Sequence, residues 1–576
     1  MRALQPNRAV MSAVVSLNLG LFVWLTGGRI VWPGHVSWLM WGDSAQHYLG
    51  WEFFRRGPLS VWPPGASPLF GVGYSSSVVY ADAIPLLALP MKFLLAFTDV
   101  RFQYLGAWLL ACFILQGVFA VKLLKRFGVS GVVLVPGALL FSIAPVFLYR
   151  MVIGGHGHMA LAGHFLVLWA LWLVLYPQLS HRRWAAVLLV SLLVQFYLFA
   201  MVAYLYVVAA TWWAWRHRRE RPLFVVIRGV AGNICAILVL AYLAGYFMSG
   251  STEAEGFGMF RSDVLGLIDP NPYEFQGWSE LWTRLVDQKL AYQAKPFETN
   301  GTFEGYAFVG IATLLVMPVI PIAWVSLRDK SFRVMAALMT LVSFPLFLLA
   351  VSNQVHVGGT PIWNISVPRE FARFTSTLRA SGRFMWPLVY CATCLSVVAS
   401  VRVVVHCTKK RQFATILLVV LILFQLFDMR VALSEYRERF TEAQREVTRL
   451  QDARWTSLAA GTTCLVVVPV EAKGPSWLDF AEFALDNGLT TNSAYLSRWS
   501  QAAVEREKLR VETIMRNRSF DSECLYVAMP PIGENLESEI EQLRIAAGRD
   551  STARTLVELL DGFIVIRRLP VTSAPD

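Results

Sequence analysis

The sequence predicts a polytopic α-helical membrane protein, with about eleven transmembrane helices followed by a small α/β domain. Hydrophobic residues make up 56% of the 576 residues and charged residues only 16%, against about 25% in ordinary globular proteins. Runs of about 20 apolar residues, the length that crosses ~30 Å of hydrocarbon, recur from Met11 to Phe427. After Asp428 charges become frequent. We therefore predict a membrane domain over 1–428 and a soluble domain over 429–576.

The basic residues predict the orientation of the spans, because Lys and Arg are retained on the cytoplasmic side of a membrane. If every basic cluster is cytoplasmic, an even number of spans separates each from the next, and two fit between each neighbouring pair. The N-terminus is then cytoplasmic and the C-terminal domain extracytoplasmic. The clusters are Arg2/Arg8, Lys122/Lys125/Arg126, Arg182/Arg183, Arg216/Arg218/Arg219/Arg221, Arg328/Lys330/Arg333 and Lys409/Lys410/Arg411. The predicted spans are 11–27, 102–121, 130–148, 161–177, 184–199, 200–215, 223–247, 306–326, 334–351, 385–404 and 413–427.

Residues 81–97 are apolar but short, and they contain two prolines and Lys92. Counting them as a span would place the Lys122 cluster outside, so we interpret them as a helix in the outer interface. The first apolar run lacks a small-residue cleavage site, which favours an uncleaved helix over a signal peptide. The net charge of +12 reflects these loops, and no nucleic-acid motif accompanies it.

The stretch "WGDSAQHYLGWEFFRRGPLSVWPPG" lies in the first predicted outward loop. A carboxylate close to a membrane is costly unless it is solvated or paired, which favours a functional role for Asp43. Its aromatic neighbours would equally suit an amphipathic anchoring helix. The candidate substrate-binding residues of this loop are Gln46, His47, Tyr48, Trp51 and Asp82.

The second predicted outward loop contains "YRMVIGGHGHMALAGH", with Arg150, His156 and His158. These side chains suit a phosphate or a proton transfer. Two histidines without a nearby cysteine are a weak zinc signal, so no metal ligand is assigned and a divalent metal stays an open alternative. Hydrogen-bonded interfacial histidines are the structural alternative.

A third outward stretch, "PREFARFTSTLRASGRFMWP", contains two arginine pairs spaced i,i+4, and the second pair is Arg379 and Arg383. On a helix each pair shares a face, and guanidinium groups grip phosphate bidentately. Arginines that reach towards lipid headgroups are the alternative. Glu304, before another span, is a further candidate for substrate binding.

The tail alternates strand-like runs, "CLVVVPV", "CLYVAMPP" and "FIVIRRL", with helical patterns, which predicts a small α/β domain. Cys464 and Cys524 begin two of these strands in a predicted oxidising compartment, so they can form a disulfide if the strands are neighbours. No phosphate loop or nucleophile elbow accompanies them. We interpret the tail as a lid or an acceptor-binding module.

One reaction uses all these groups on one side of a membrane: transfer of a sugar from a polyprenyl-phosphate donor to an extracytoplasmic glycan, lipid or protein. Arg379 and Arg383, with Arg150, His156 and His158, would hold the donor phosphate. The acceptor hydroxyl needs a general base, and Asp43 is the candidate. We expect acid, imidazoles and guanidinium groups to share one pocket at the outer leaflet.

The layout resembles the GT-C superfamily of membrane glycosyltransferases, which includes oligosaccharyltransferases, protein O-mannosyltransferases and aminoarabinose transferases. The resemblance implies a functional acid soon after the first span, where Asp43 lies, and a second interfacial helix at 81–97. Where that superfamily often has another acid or metal ligand, this chain has Arg150, His156 and His158.

The strings "WGDSAQHYLGWEFFRRGP", "YADAIPLLALPMK", "FQYLGAWLLACFILQG", "RASGRFMWP" and "TTNSAYLSR" more closely resemble a bacterial family of largely uncharacterised GT-C-like membrane proteins. The resemblance implies a bacterial inner membrane location. The alternative is a lipid or sugar transporter in which Asp43 and the histidines form a proton relay. No internal repeat is evident and the charges cluster at one surface, which favours the enzyme. A non-catalytic scaffold is a third alternative.

Overall fold

The computed structural model describes residues 8–152, 157–219, 223–249, 256–270, 277–287, 302–442, 448–471, 474, 476–529 and 554–569. The chain forms two compact units. The first comprises Met1–Trp38, Phe102–Leu240 and Glu253–Gln444, and the second comprises Leu39–Arg101, Ala241–Thr252 and Arg445–Asp576. The boundary at 428/429 stays a prediction, and in this division residues 39–101 of the first outward loop belong to the same unit as the tail.

Within the described ranges, seven helices are long and apolar enough to cross a membrane. The protein is therefore a multi-pass membrane protein. An eighth candidate is a pair bent by 43°, Leu134–Ser142 and Pro145–Met151, where the proline removes a backbone donor. The seven are Arg8–Thr26, Leu105–Arg126, Phe196–Arg216, Leu223–Ala244, Lys330–Val351, Ser381–Thr408 and Arg411–Asp428.

Three further predicted spans coincide with shorter helices, so the number of eleven stays a prediction. These helices are Phe165–Val174, His181–Val194 and the broken pair Ile311–Val316 and Val319–Ser326. The helix Pro85–Leu95 has 11 residues and rises about 16 Å. It is too short to span, as the sequence indicated.

The boundary between two neighbouring predicted spans differs from the expectation. The prediction divided the segment at residue 200, whereas the helices His181–Val194 and Phe196–Arg216 meet at Gln195. Gln195 has an extended backbone, and its side-chain oxygen accepts a hydrogen bond from the Tyr197 backbone N–H at 2.6 Å. A side-chain acceptor at this position satisfies one of the open donors of the new helix, which fixes the break there.

The remaining elements of the first unit are short. A hairpin pairs strand β1, Gln354–Val357, antiparallel with strand β2, Thr360–Asn364. The short helices are Arg29–Val31, Met159–Ala162, Glu280–Trp282, Thr283–Asp287, Thr302–Gly305, Arg369–Phe371, Ala372–Thr377, Ser381–Met385 and Arg430–Thr441.

The tail forms a five-stranded mixed sheet in the order β4-β3-β5-β7-β6. The three predicted strands are confirmed as β3, β5 and β7, whereas β4 and β6 were not predicted. The strands are β3 Cys464–Val468, β4 Thr490–Thr491, β5 Cys524–Ala528, β6 Arg554–Leu560 and β7 Phe563–Leu569. The second unit also contains the helices Gly42–Arg56, Pro85–Leu95, Arg454–Ala459, Trp477–Asp486 and Gln501–Asn517.

The disulfide that the sequence left open is present. Strands β3 and β5 are parallel neighbours, and Cys464 lies directly opposite Cys524 in their register. The two cysteines are bonded across 60 residues of chain. Neighbouring strands lie about 4.8 Å apart, which suits the Cα separation of 4.6 Å for a disulfide.

Candidate functional site

The first unit contains a buried ionic cluster made of Arg150, Glu304 and Arg383. The Glu304 carboxylate accepts hydrogen bonds from Arg383 Nε at 2.9 Å, Arg383 Nη2 at 2.5 Å and Arg150 Nη1 at 2.7 Å. Arg150 Nη2 donates to the Glu304 backbone carbonyl. The side chains are 1%, 14% and 7% exposed for Arg150, Glu304 and Arg383. The structure thus brings together three of the residues that the sequence singled out.

Two tight turns bring these side chains together. Glu304 lies in the turn Thr302–Gly305, and Arg383 lies in the turn Ser381–Met385. A Cβ atom on Gly305 would lie 2.1 Å from the Arg261 carbonyl oxygen, and one on Gly382 would lie 2.5 Å from the Gly305 Cα. Only glycine allows backbones to approach so closely. The glycines beside Glu304 and Arg383 therefore hold the carboxylate and the guanidinium within hydrogen-bonding distance.

The electrostatics of the cluster favour the charged form of the Glu304 carboxylate. Burial of Glu304 opposes its ionisation, but the guanidinium groups of Arg383 and Arg150 outweigh this and hold the pKa of Glu304 well below its ordinary value. Two guanidinium groups held by one buried carboxylate are suited to an anion such as phosphate, which guanidinium groups bind bidentately.

Aromatic rings surround the guanidinium groups. Arg383 lies over the Tyr197 ring at 4.6 Å, and Arg150 lies 5.2 Å from the centre of the Trp386 ring. Such cation–π contacts contribute about 0.5–2 kcal/mol each and fix the planes of the guanidinium groups. Neither aromatic residue was predicted from the sequence. Trp386 had a signal, because it follows Arg383 within "RFMWP", whereas Tyr197 lies in an apolar helix without one.

The histidines of the second predicted loop differ in their surroundings. His156 lies outside the described residues. His158 belongs to the electrostatic surroundings of Glu304, and its backbone N–H donates to the Arg150 carbonyl at 3.0 Å. His164 is buried, with Nδ1 2.6 Å from the Tyr390 hydroxyl. Phosphate binding by His156 and His158 stays a prediction.

Arg379 and Arg383 do not lie on one continuous helix. The helix Ala372–Thr377 ends before Arg379, and the turn Ser381–Met385 begins after it. The i,i+4 spacing therefore does not place the two guanidinium groups on one helical face. Arg379 is half-buried and lies 5.9 Å from the centre of the Phe260 ring. Its role in phosphate binding stays a prediction.

The candidates of the first loop lie in the second unit. Asp43 is half-buried in the first turn of the helix Gly42–Arg56, where the helix dipole stabilises a negative charge. Gln46 donates to the Tyr80 carbonyl at 3.2 Å. Tyr48 and Trp51 are fully buried. Asp43 is therefore partly accessible, whereas Tyr48 and Trp51 lie in the core of their unit.

The same helix contains a buried ion pair that was not predicted from the sequence. Glu52 pairs with Arg55 at 2.8 Å, and both side chains are almost fully buried. Arg55 also donates to the carbonyls of Thr98 and Val100 at 2.5 and 2.7 Å. These bonds satisfy the guanidinium, so we interpret Arg55 as structural.

His47 and Asp82 place ligand atoms within 4.8 Å of each other. These two residues therefore partly fit the divalent metal that the sequence left as an open alternative.

The fold is similar to solved structures at low sequence identity. ArnT from Cupriavidus metallidurans in the apo state is 11% identical, with a TM-score of 0.45 over 99% of this chain and 100% of ArnT. ArnT bound to undecaprenyl phosphate is 13% identical, with a TM-score of 0.44 over 97% and 99%. The Archaeoglobus fulgidus oligosaccharyltransferase in the apo form is 11% identical, with a TM-score of 0.37 over 84% and 64%.

No curated protein matches the chain. A family model described as "Domain of unknown function (DUF6311)" matches residues 15–430. A second model, the DUF6311 C-terminal domain, matches residues 454–568. The two models together include most of the membrane helices and the tail sheet. The chain therefore belongs to the DUF6311 family.

Proposed function

We propose that this protein is a membrane glycosyltransferase that moves a sugar from a polyprenyl-phosphate donor to an extracytoplasmic glycan, lipid or protein. The observation that carries the proposal is the buried cluster of Arg150, Glu304 and Arg383. Its two guanidinium groups suit a phosphate, because guanidinium groups bind phosphate oxygens bidentately. The resemblance of the sequence to GT-C enzymes supports the choice of a lipid-linked sugar phosphate.

The cluster is suited to a phosphate leaving group. In the proposed step, an acceptor hydroxyl oxygen bonds to the anomeric carbon of the sugar, and the bond from that carbon to the phosphate oxygen breaks. The bonding electrons stay on the phosphate, so negative charge develops there. Preorganised guanidinium groups stabilise this charge without reorganisation. Glu304 orients both guanidinium groups, which is its proposed contribution.

The acceptor proton requires a base, and we assign this role to Asp43. A hydroxyl has a pKa far above 7, so a carboxylate that receives its proton lowers the barrier. Asp43 is half-buried at the start of its helix, and a base needs an accessible carboxylate. Gln46, His47 and Asp82 are proposed to shape the binding of sugar and acceptor, whereas Tyr48 and Trp51 are proposed to support their helix from the core of the unit.

The test uses purified protein in detergent, a polyprenyl-phosphate sugar and a panel of acceptors. We expect transfer of the sugar without any vesicle, which excludes transport as the only activity. The variant D43N is expected to lose transfer by at least about 100-fold, the lower contribution of general base catalysis, and to retain donor binding. D99N, which changes an exposed acid of the same loop, is the matched control.

Two outcomes would overturn the proposal. Full transfer by D43N would remove the base assignment. Failure of the wild-type protein to transfer any sugar, together with movement of the donor across vesicles, would favour the transporter instead.

A further inference from the structure

The string "TTNSAYLSR", residues 490–498, lies against the first loop within the second unit. The Thr491 N–H donates to the Leu69 carbonyl at 3.1 Å, and the Val72 N–H donates to the Thr491 carbonyl at 3.0 Å. Phe70 and Thr491 form a parallel bridge. Strand β4 is the edge of its sheet, and an edge strand offers unpaired backbone groups. The first loop therefore pairs with the edge of the tail sheet.

The same string also reaches the Tyr80 carbonyl. This oxygen accepts from the Ser497 N–H at 2.7 Å, the Ser497 hydroxyl at 2.9 Å and Gln46 Nε2 at 3.2 Å. A carbonyl has two lone pairs, so the longest of the three bonds, from Gln46, is the weakest. Ser497 supplies two of the three donors. It is therefore the residue that fixes the position of this carbonyl.

The other end of Tyr80 is also held. Its hydroxyl donates to the Tyr246 carbonyl at 2.7 Å and accepts from the Ser249 N–H at 3.0 Å. Tyr80 thus connects three separate segments of the second unit, which contain Gln46, Ser497 and Ser249.

The chain directly after Tyr80 has an unfavourable backbone. Asp82 and Ile84 have φ values of 51° and 52°, in the left-handed region that side chains other than glycine rarely adopt. Such a conformation persists only where the surroundings hold it. The Ser497 bonds fix the carbonyl of Tyr80, two residues before Asp82.

We propose that Ser497 is a positioning residue that sets the place of Asp82 and Gln46 in the site. The inference rests on the proposed function, which gives Asp82 and Gln46 contact with sugar or acceptor. This proposal differs from the interpretation of the tail as a lid or an acceptor-binding module. The tail is instead a structural part of the site. The substrate group that these two side chains suit is a hydroxyl, which a carboxylate and an amide can both hydrogen-bond.

The first experiment measures hydrogen–deuterium exchange of the full-length protein in detergent. S497A removes the hydroxyl donor and keeps the backbone bond, and S497T restores the hydroxyl. S457A is the matched control, because Ser457 makes a similar 2.8 Å bond to a carbonyl in the same tail. We expect amides of residues 78–88 to exchange about 2- to 12-fold faster in S497A, from the usual net contribution of one hydrogen bond. S497T and S457A should match the wild type.

Equal exchange of this segment in S497A and S457A would overturn the proposal. So would faster exchange in strands β3 and β5 to the same degree, because that would indicate a general loss of stability. If S497A does not fold, S497T and S497V have the same shape and differ only in the hydroxyl, so the pair gives the same comparison.

A kinetic measurement separates this inference from the proposed function. In the transfer assay, S497A should raise the acceptor KM or lower kcat and leave donor binding unchanged, and S497T should restore both values. An S497A enzyme with wild-type kinetics would overturn the positioning role. If the wild-type protein transfers no sugar, the proposed function fails, and the exchange experiment still decides whether Ser497 positions the loop.

Discussion

Two regions of the protein connect distant segments by different means. In the first unit, charged groups join segments that contain Arg150, Glu304 and Arg383. In the second unit, neutral donors on Gln46 and Ser497 meet at one backbone carbonyl. Loss of one neutral bond costs about 0.5–1.5 kcal/mol, whereas loss of one partner from a buried ionic group leaves a charge uncompensated. The ionic region should therefore be the more sensitive to substitution.

The largest effect is expected for E304Q. The substitution keeps the shape of the side chain but removes the charge that compensates Arg150 and Arg383. We expect the free energy of unfolding to fall by about 3–5 kcal/mol, the cost of breaking a buried ion pair. Chemical denaturation in detergent measures it.

The matched control is E435Q, which breaks a partly exposed i,i+4 pair with Arg439 and should cost less than about 1 kcal/mol. If both variants lose the same stability, the contrast between buried and exposed charge does not hold.

The second effect concerns the covalent link of the tail. The Cys464–Cys524 disulfide closes a loop of 60 residues, and such links stabilise by about 2–4 kcal/mol, chiefly by restricting the unfolded chain. The double variant C464S/C524S should lose that stability in non-reducing denaturation. C407S, which changes an exposed free cysteine, is the control, and an identical unfolding midpoint for the double variant and the wild type would contradict the expectation.

The third effect is a pH dependence from a lysine of the second unit. Burial lowers the pKa of Lys92 to about 8, compared with about 10.4 in an unfolded chain. Between these values the unfolded chain binds a proton that the folded chain does not, so stability should rise with pH by about 1–3 kcal/mol. K92M should abolish this rise in denaturation between pH 8 and 10, whereas K508M, at an exposed lysine, should retain it. A rise that persists in K92M would contradict the assignment.

The smallest effect is the pH dependence of the contribution that Glu304 makes to stability near neutral pH. Its folded pKa lies well below the ordinary value, because the guanidinium groups outweigh burial. Its contribution to stability is therefore complete above the unfolded pKa of about 4.3 and declines only as pH falls towards the folded pKa. The stability difference between wild type and E304Q should be constant from about pH 5 to 8. A difference that shrinks by pH 6 would show that Glu304 is not held ionised by the arginines.

Several features were predictable from the sequence because their signals are local. Apolar length predicted the seven long helices, and the cysteines that begin "CLVVVPV" and "CLYVAMPP" indicated that a disulfide could join neighbouring strands. The turn at Gln195 was missed, because a side-chain cap determines the break inside a continuous apolar run. Strand β4 was missed because two residues carry no periodicity.

The site was predicted in part. Arg150, Glu304 and Arg383 were singled out by charge in an apolar setting, but their pairing depends on glycine contacts between turns far apart in the sequence. The contact of Ser497 with Tyr80 joins residues 417 apart, and no local pattern encodes such a partner. The shared pocket of Asp43 and Arg383 stays a prediction.

The most direct test of the central claim measures binding of a polyprenyl phosphate and of the matched polyprenol, which lacks the phosphate, to wild type, R383A, R383K and the exposed-arginine control R373A. The account predicts that wild type and R373A prefer the phosphate, and that R383A loses about 10- to 150-fold of phosphate affinity, the contribution of hydrogen bonds to a charged group, with polyprenol binding unchanged. R383K, which keeps the charge without the fork, should lie between them. Equal phosphate affinity in folded wild type, R383A and R383K would contradict the account.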